Sequence, residues 1–175
     1  QIYFGTELGD LYCLDLSGTI KWRFKAKRAI TSSPLIHQNT IYVTSVDATL
    51  YALDINSGFI IWRFRLGKAS ISTPTIFEDI LFTGCVDNAI YAVHIHSAKE
   101  SWRFNTDHQV TASPIVHNDS LYCGSVDGNF YCLDCRTGRL RWKYKTSGHI
   151  TGSATVSEDK VFFGSTDHRI YALSI

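Results

Sequence analysis

Methionine is absent from the sequence, even at its first position, and the chain opens on residues that read as a strand. It is therefore expected to be a stretch of a longer protein. Proline is scarce, at three residues, and no Gly/Ser-rich or charge-rich run resembles a linker, so one architectural unit over residues 1–175 is expected. Charge is sparse too. Only 19% of residues are Asp, Glu, Lys or Arg and the net charge is +1, which excludes a global field that would draw in nucleic acid or an anionic membrane. No apolar run is long enough to span a bilayer as a helix. No signal peptide or lipidation motif is present. The five cysteines, Cys13, Cys85, Cys123, Cys132 and Cys135, are odd in number and irregularly spaced, unlike a disulfide framework, and they do not fix a compartment. Sustained helical periodicity is missing as well.

What the sequence has in quantity is aromatic residues, 13% of the total, with four Trp, nine Tyr and ten Phe. Such side chains suit pleated surfaces. They also keep a strict register. Trp22, Trp62, Trp102 and Trp142 recur every 40 residues, and Tyr12, Tyr51, Tyr91, Tyr131 and Tyr171 follow the same period with one interval of 39. Each repeat divides into four short apolar segments, here strands A to D. In the second repeat these are Ile30 to His37, Ile41 to Ser45, Leu50 to Asp54 and Phe59 to Phe64. Turn residues separate them: Gln38-Asn39, Asp47-Ala48 and Asn56-Ser57-Gly58.

Four antiparallel strands every 40 residues is the sequence form of a β-propeller blade. The expected fold is all-β: a partial blade over residues 1–25, full blades over 30–65, 70–105 and 110–145, and a second partial blade over 150–175. Counting strands gives more than a closed four-bladed ring would hold, so an open arc of a seven- or eight-bladed propeller is expected. Each Trp on strand D should wedge between adjacent blades, since a flat ring fills an inter-sheet gap. Asp15, Asp54 and Asp134 end strand C and should accept hydrogen bonds from the turn that follows, which Gly18, Gly58 and Gly138 complete. His94 and Ala98 break this pattern, so their turn should be the least ideal.

The string Ala52-x-Asp54-x-x-Ser57-Gly58-x-x-x-Trp62 resembles the tryptophan-docking motif of pyrroloquinoline-quinone-type propeller repeats. So does Cys132-x-Asp134-x-x-Thr137-Gly138-x-x-x-Trp142, and the Ser33-Pro34, Thr73-Pro74, Ser113-Pro114, Gly124-Ser125 and Gly164-Ser165 pairs are similar to that family too. The resemblance covers the whole chain. It implies one of three functions: a quinoprotein dehydrogenase, a periplasmic scaffold of outer-membrane-protein assembly, or a sensor region fused to a bacterial protein kinase. The enzymes of the family hold pyrroloquinoline quinone with Ca²⁺ and use a disulfide between adjacent cysteines. Adjacent cysteines are lacking here and the loops are short, so no catalytic, cofactor or metal residue is assigned. The function expected is a non-enzymatic scaffold or binding domain with a protein partner, and the resemblance favours the periplasm or cell envelope.

Three further patterns read as structure before chemistry. Cys132-x-x-Cys135 has the spacing of a redox or metal pair, but Cys132 and Cys13 stand where other repeats have Ala52, Ala92 and Ala172, as small buried hydrophobes would. His94-Ile95-His96 lies at a turn. Asp47, Asp87, Asp127 and Asp167 recur in the B–C hairpins, whereas a catalytic carboxylate would be singular. Strand D carries Arg23, Arg63, Arg103 or Lys143 beside its Trp, which gives a basic outer rim. Charged outer strands discourage edge-to-edge pairing.

Overall fold

A computed structural model describes residues 1–175 as eighteen β-strands with no helix. The chain divides into two compact units, Gln1–Pro74 and Thr75–Ile175. The first holds a three-stranded antiparallel sheet, β1 (Ile2–Gly5), β2 (Asp10–Leu14) and β3 (Ile20–Lys25), and a four-stranded one, β4 (Leu35–His37), β5 (Thr40–Ser45), β6 (Thr49–Asp54) and β7 (Ile60–Arg65). The second holds two four-stranded sheets and one of three strands. Its strands are β8 (Thr75–Phe77), β9 (Ile80–Cys85), β10 (Ala89–His94) and β11 (Glu100–Asn105), then β12 (Ile115–His117), β13 (Ser120–Gly124), β14 (Asn129–Asp134) and β15 (Leu140–Lys145), then β16 (Thr155–Ser157), β17 (Lys160–Ser165) and β18 (Arg169–Ser174). Each sheet is a meander of sequence neighbours, the pattern expected for three full blades and two partial ones.

Burial explains the composition of each strand. The central pair of a full blade, β5 and β6, is buried along almost its whole length, on both faces of the sheet. It therefore reads as a continuous apolar run without alternation. Outer strand β7 alternates instead, with Trp62 and Phe64 half-buried and Arg63 and Arg65 exposed. Leu11, Ile41, Val43 and Leu53 form one apolar layer with Trp22 and Phe24 in the first unit. Two such layers stand in the second unit, one around Phe82, Ile90, Leu121 and Leu133, the other around Phe130, Ile150 and Phe163. Each fully buried Leu or Ile contributes about 1.5–3 kcal/mol relative to exposure.

Strand A is shorter than the apolar run suggests: it covers Leu35–His37, not Ile30 to His37. The reason is a substitution of side chain for backbone. The Ser32 hydroxyl donates to the Thr44 carbonyl at 3.2 Å and accepts from the Thr44 amide at 3.2 Å. It thus does for β5 what a paired strand would, and Pro34 has no N–H to offer the ladder. The other three strands start and stop within a residue or so of expectation.

A β-bulge recurs where strand C meets strand D, between Cys13 and Leu14, Ala52 and Leu53, Ala92 and Val93, and Cys132 and Leu133. Just before the bulge, each small residue faces the tryptophan: Cys13 pairs with Trp22, Ala52 with Trp62, Ala92 with Trp102 and Cys132 with Trp142. A larger side chain there would occupy the space beside the indole. This gives the Ala/Cys alternation a physical cause.

Candidate functional site

The repeated tryptophans pack within their own blades, and Trp22 and Trp102 are held from the next blade as well. Each ring packs on an aromatic or large residue of strand B in its own blade: Trp22 on Tyr3 at 5.8 Å between centroids, Trp62 on Tyr42 at 5.7 Å, Trp102 on Phe82 at 5.4 Å and Trp142 on Tyr122 at 5.9 Å. In Trp22 and Trp102 the indole N–H then reaches the next blade. Trp22 Nε1 donates to the Ile55 carbonyl at 3.0 Å, and Trp102 Nε1 to the Cys135 carbonyl at 2.9 Å. The glycine of the receiving turn lies under the ring. A Cβ on Gly58 would come within 2.5 Å of Trp22 Cε3, and one on Gly138 within 2.5 Å of Trp102 Cδ2. Both glycines also have left-handed backbone, with φ of 71° and 69°.

Strand-C aspartates tie those turns. Asp54 Oδ1 accepts from the Asn56 amide at 3.1 Å, the Ser57 amide at 2.8 Å and the Ser57 hydroxyl at 2.7 Å. Asp134 Oδ1 does the same for Arg136 and Thr137, and Asp15 Oδ1 for Ser17 and Thr19. Asp134 Oδ2 also meets Arg141 at 2.7 Å. Arg141 and the Thr137 hydrogen bonds hold the Asp134 carboxyl down at about 2, against an upward push from burial. In the third repeat the turn has His94 and Ala98 instead. Ala98 is forced to a left-handed φ of 52° and no carboxylate spans the loop, although the backbone bond from Ala98 N to His94 O survives at 2.9 Å.

A second aspartate series makes a contact that the sequence did not disclose. Tyr51 donates its hydroxyl to Asp47 Oδ2 at 2.8 Å, and the Lys27 amide donates to the same oxygen at 3.0 Å. Asp127 accepts from Tyr131 and the Asp107 amide, and Asp167 from Tyr171 and the Ser147 amide. Each carboxylate thus joins its own strand C to the loop that enters its blade. Burial and the bond to Asp47 push Tyr51 up to about 12. Burial pushes Asp127 the other way from its partners, and the hydrogen bonds from Tyr131 and the Asn129 and Asp107 amides prevail, holding it below the usual range. The period of four residues from Asp to Tyr was the available signal.

The thiols are all free and buried. Cys132 packs with Tyr122 and Phe130 in one apolar layer, whereas Cys135 packs with Leu133 and Cys123 in another. The CxxC spacing therefore sends its two side chains to opposite faces of the blade. Burial pushes both Cys123 and Cys135 up to about 12. His94 and His96 are exposed on their turn, and His96 Nε2 lies 3.1 Å from Asp79 Oδ1. No three His, Cys, Asp or Glu side chains converge as a metal set would.

Cations of the outer strands mostly have partners. Arg23 and Lys25 meet Asp10 at 2.8 and 3.2 Å, Arg103 meets Glu100 at 2.7 Å and lies 4.3 Å from the Tyr91 ring centroid, and Arg141 is shared by Asp119 and Asp134. The rim is therefore a lattice of pairs more than a free basic field.

Comparison with known proteins fits this geometry. A family model described as "Outer membrane protein assembly factor BamB" matches residues 7–113 and 99–175. No curated protein matches the chain in sequence. Among solved structures, BamB from Moraxella catarrhalis superposes with a TM-score of 0.86 at 21% identity, over 98% of this chain and 57% of that one. Two computationally designed proteins share the fold. Ika8 has a TM-score of 0.88 at 17% identity over 99% of this chain and 55% of its own, and Ika4 has 0.75 at 19% over 84% and 91%. The chain thus spans a little over half the length of the BamB and Ika8 chains it matches.

Proposed function

The chain belongs to the family of the outer membrane protein assembly factor BamB, and from that premise we propose that it is a non-enzymatic propeller segment that binds protein partners and supports the assembly of outer membrane proteins at the cell envelope. The observation that carries this reading is the way its recurrent polar side chains are used. Trp22 and Trp102, Asp54 and Asp134, and Asp47, Asp127 and Asp167 all spend their hydrogen bonds on turns or on blade-to-blade joints. Side chains engaged in this way build a rigid frame and leave loops and outer strands as the surface for recognition.

Depletion of the protein in its own host tests the proposal, with the folded fraction of outer-membrane β-barrel proteins as the readout. A fall in that fraction is expected. An unchanged fraction, or dehydrogenase turnover by the protein with pyrroloquinoline quinone and Ca²⁺, overturns it.

A further inference from the structure

The first two repeats differ at one position that decides the charge of their outer faces. In the first, Asp10 opens strand C opposite Lys25, and its neighbour Tyr12 pairs with Arg23. The Asp10 carboxylate, with its side chain only 4% exposed, accepts from Arg23 Nε at 2.8 Å and from Lys25 Nζ at 3.2 Å. Lys25 Nζ donates as well to the Leu8 carbonyl at 2.8 Å. One internal carboxylate thereby answers two cations. Burial pushes this carboxyl up, yet the two cations prevail and hold it below the usual range.

The second repeat keeps the cations and loses the carboxylate. Arg63 pairs with Tyr51, and Arg65 pairs with Thr49, the residue at the place of Asp10. Arg65 Nη1 donates to the Asp47 carbonyl at 2.7 Å, the counterpart of Leu8. Lys27 adds a third cation. These residues line a cleft of about 280 Å³ made by Lys27, Thr49, Tyr51, Arg63 and Arg65, with no acidic side chain in its wall. The nearest carboxylate, Asp47, is committed elsewhere: its Oδ2 holds the Tyr51 hydroxyl and the Lys27 amide, and its Oδ1 is buried. Three cations against one carboxylate leave a surplus of positive charge. In β11 the pattern is not repeated, since Asn105 replaces Arg65 and Glu100 meets Arg103 at 2.7 Å; β15 keeps two cations, Lys143 opposite Tyr131 and Lys145 opposite Asn129, but there the entering loop carries Asp107 where the second repeat has Lys27.

We propose that this cleft receives the carboxylate of an Asp or Glu side chain from a partner protein, which completes between two chains the ion pair that Asp10 makes within its own blade. The geometry suits a carboxylate because guanidinium groups bind it through paired N–H donors. The proposal rests on the reading of this chain as a protein-binding propeller and names the chemistry of one contact on it.

Titration of the ¹⁵N-labelled chain with a hexaglutamate peptide, a hexaglutamine peptide and inorganic phosphate tests it. The acidic peptide should shift the Arg63 and Arg65 Nε–H signals and the Thr49 amide in a saturable way that weakens with added salt, and the glutamine peptide should not. Thr49→Asp builds the internal carboxylate of the first repeat and should weaken the acidic peptide about tenfold or more, the scale of one lost charge-assisted contact. Arg63→Gln removes a cation without touching the buried side of the strand and should do the same, so the answer does not depend on Thr49→Asp folding. Unchanged peptide affinity in a folded Thr49→Asp or in Arg63→Gln overturns the proposal. Phosphate saturating the cleft at lower concentration than the peptide also overturns it, in favour of a small-anion site. Because the depletion experiment reads outer-membrane assembly and this titration reads one cleft, a failure of either is distinguishable from a failure of the other.

Discussion

The indole N–H of Trp22 and the carbonyl of Ile55 are 33 residues apart in sequence and 3.0 Å apart in space, and this bond links one blade to the next. Trp22 is also only 8% exposed. Trp22→Phe keeps most of the ring and loses the donor, so it should cost about 1–2 kcal/mol, the scale of one buried hydrogen bond left unmade. Trp22→Ala empties the site and should cost about 3–5 kcal/mol. Urea unfolding of both variants checks the order; equal losses would show that the hydrogen bond is without effect.

Gly58 and Ala98 occupy the same place in successive turns, and opposite substitutions should move stability in opposite directions. Gly58→Ala adds a Cβ against the Trp22 ring at left-handed φ, and about 2 kcal/mol or more should be lost. Ala98→Gly relieves a left-handed alanine and should gain about 1 kcal/mol. Thermal melts of the pair, read against the wild-type chain, test both signs.

Acid should destabilise the fold in a defined window. Asp134 is held at about 2 by Arg141 and Thr137, and Asp10, Asp15, Asp54, Asp119, Asp127 and Asp167 are all held below the usual carboxylate range. A group depressed in the folded state lends stability that is fully present above its unfolded value, near 4, and is lost as pH falls through the folded value. Stability should therefore hold from pH 7 to about pH 5 and decline steeply from about pH 4 to pH 2. Asp134→Asn should flatten part of that decline, and urea midpoints across the range would reveal it.

Thiol chemistry offers a fourth check. The native chain should react slowly with a polar disulfide reagent, because its five thiols are buried and two are pushed up to about 12. Denaturation should release all five. A Cys132–Cys135 crosslink under mild oxidant would contradict their placement in separate apolar layers.

Much of this was legible because the same information is written several times. One Trp on an outer strand is ambiguous; four at a spacing of 40 set the strand boundaries, the blade count and the position of each turn. The aspartates at the ends of strand C were readable from turn chemistry alone, since their bonds are local. Contacts between distant residues were not. Asp47 and Tyr51 were each visible as members of a series four residues apart, yet the Lys27 amide that shares the Asp47 carboxylate comes from the loop 20 residues earlier, and no local pattern marks it. Strand A was overextended because a serine hydroxyl in place of a ladder leaves no trace in hydrophobicity. The cationic cleft was hidden for a different reason: it arises where one repeat departs from another, Thr49 for Asp10, and a search for what recurs passes over such departures.

The joints from Trp22 to Ile55 and from Trp102 to Cys135 each run from one blade to the one beside it, and both are built from the same two parts of the repeat: a tryptophan to give and a turn carbonyl to receive. Duplication or loss of a 40-residue stretch in the coding sequence would therefore join a standard donor to a standard acceptor wherever it occurred. Changes of length by whole repeats should pass through selection far more easily than changes of a few residues. Gene lineages with this arrangement should then vary in the number of their copies while the spacing inside each copy stays constant.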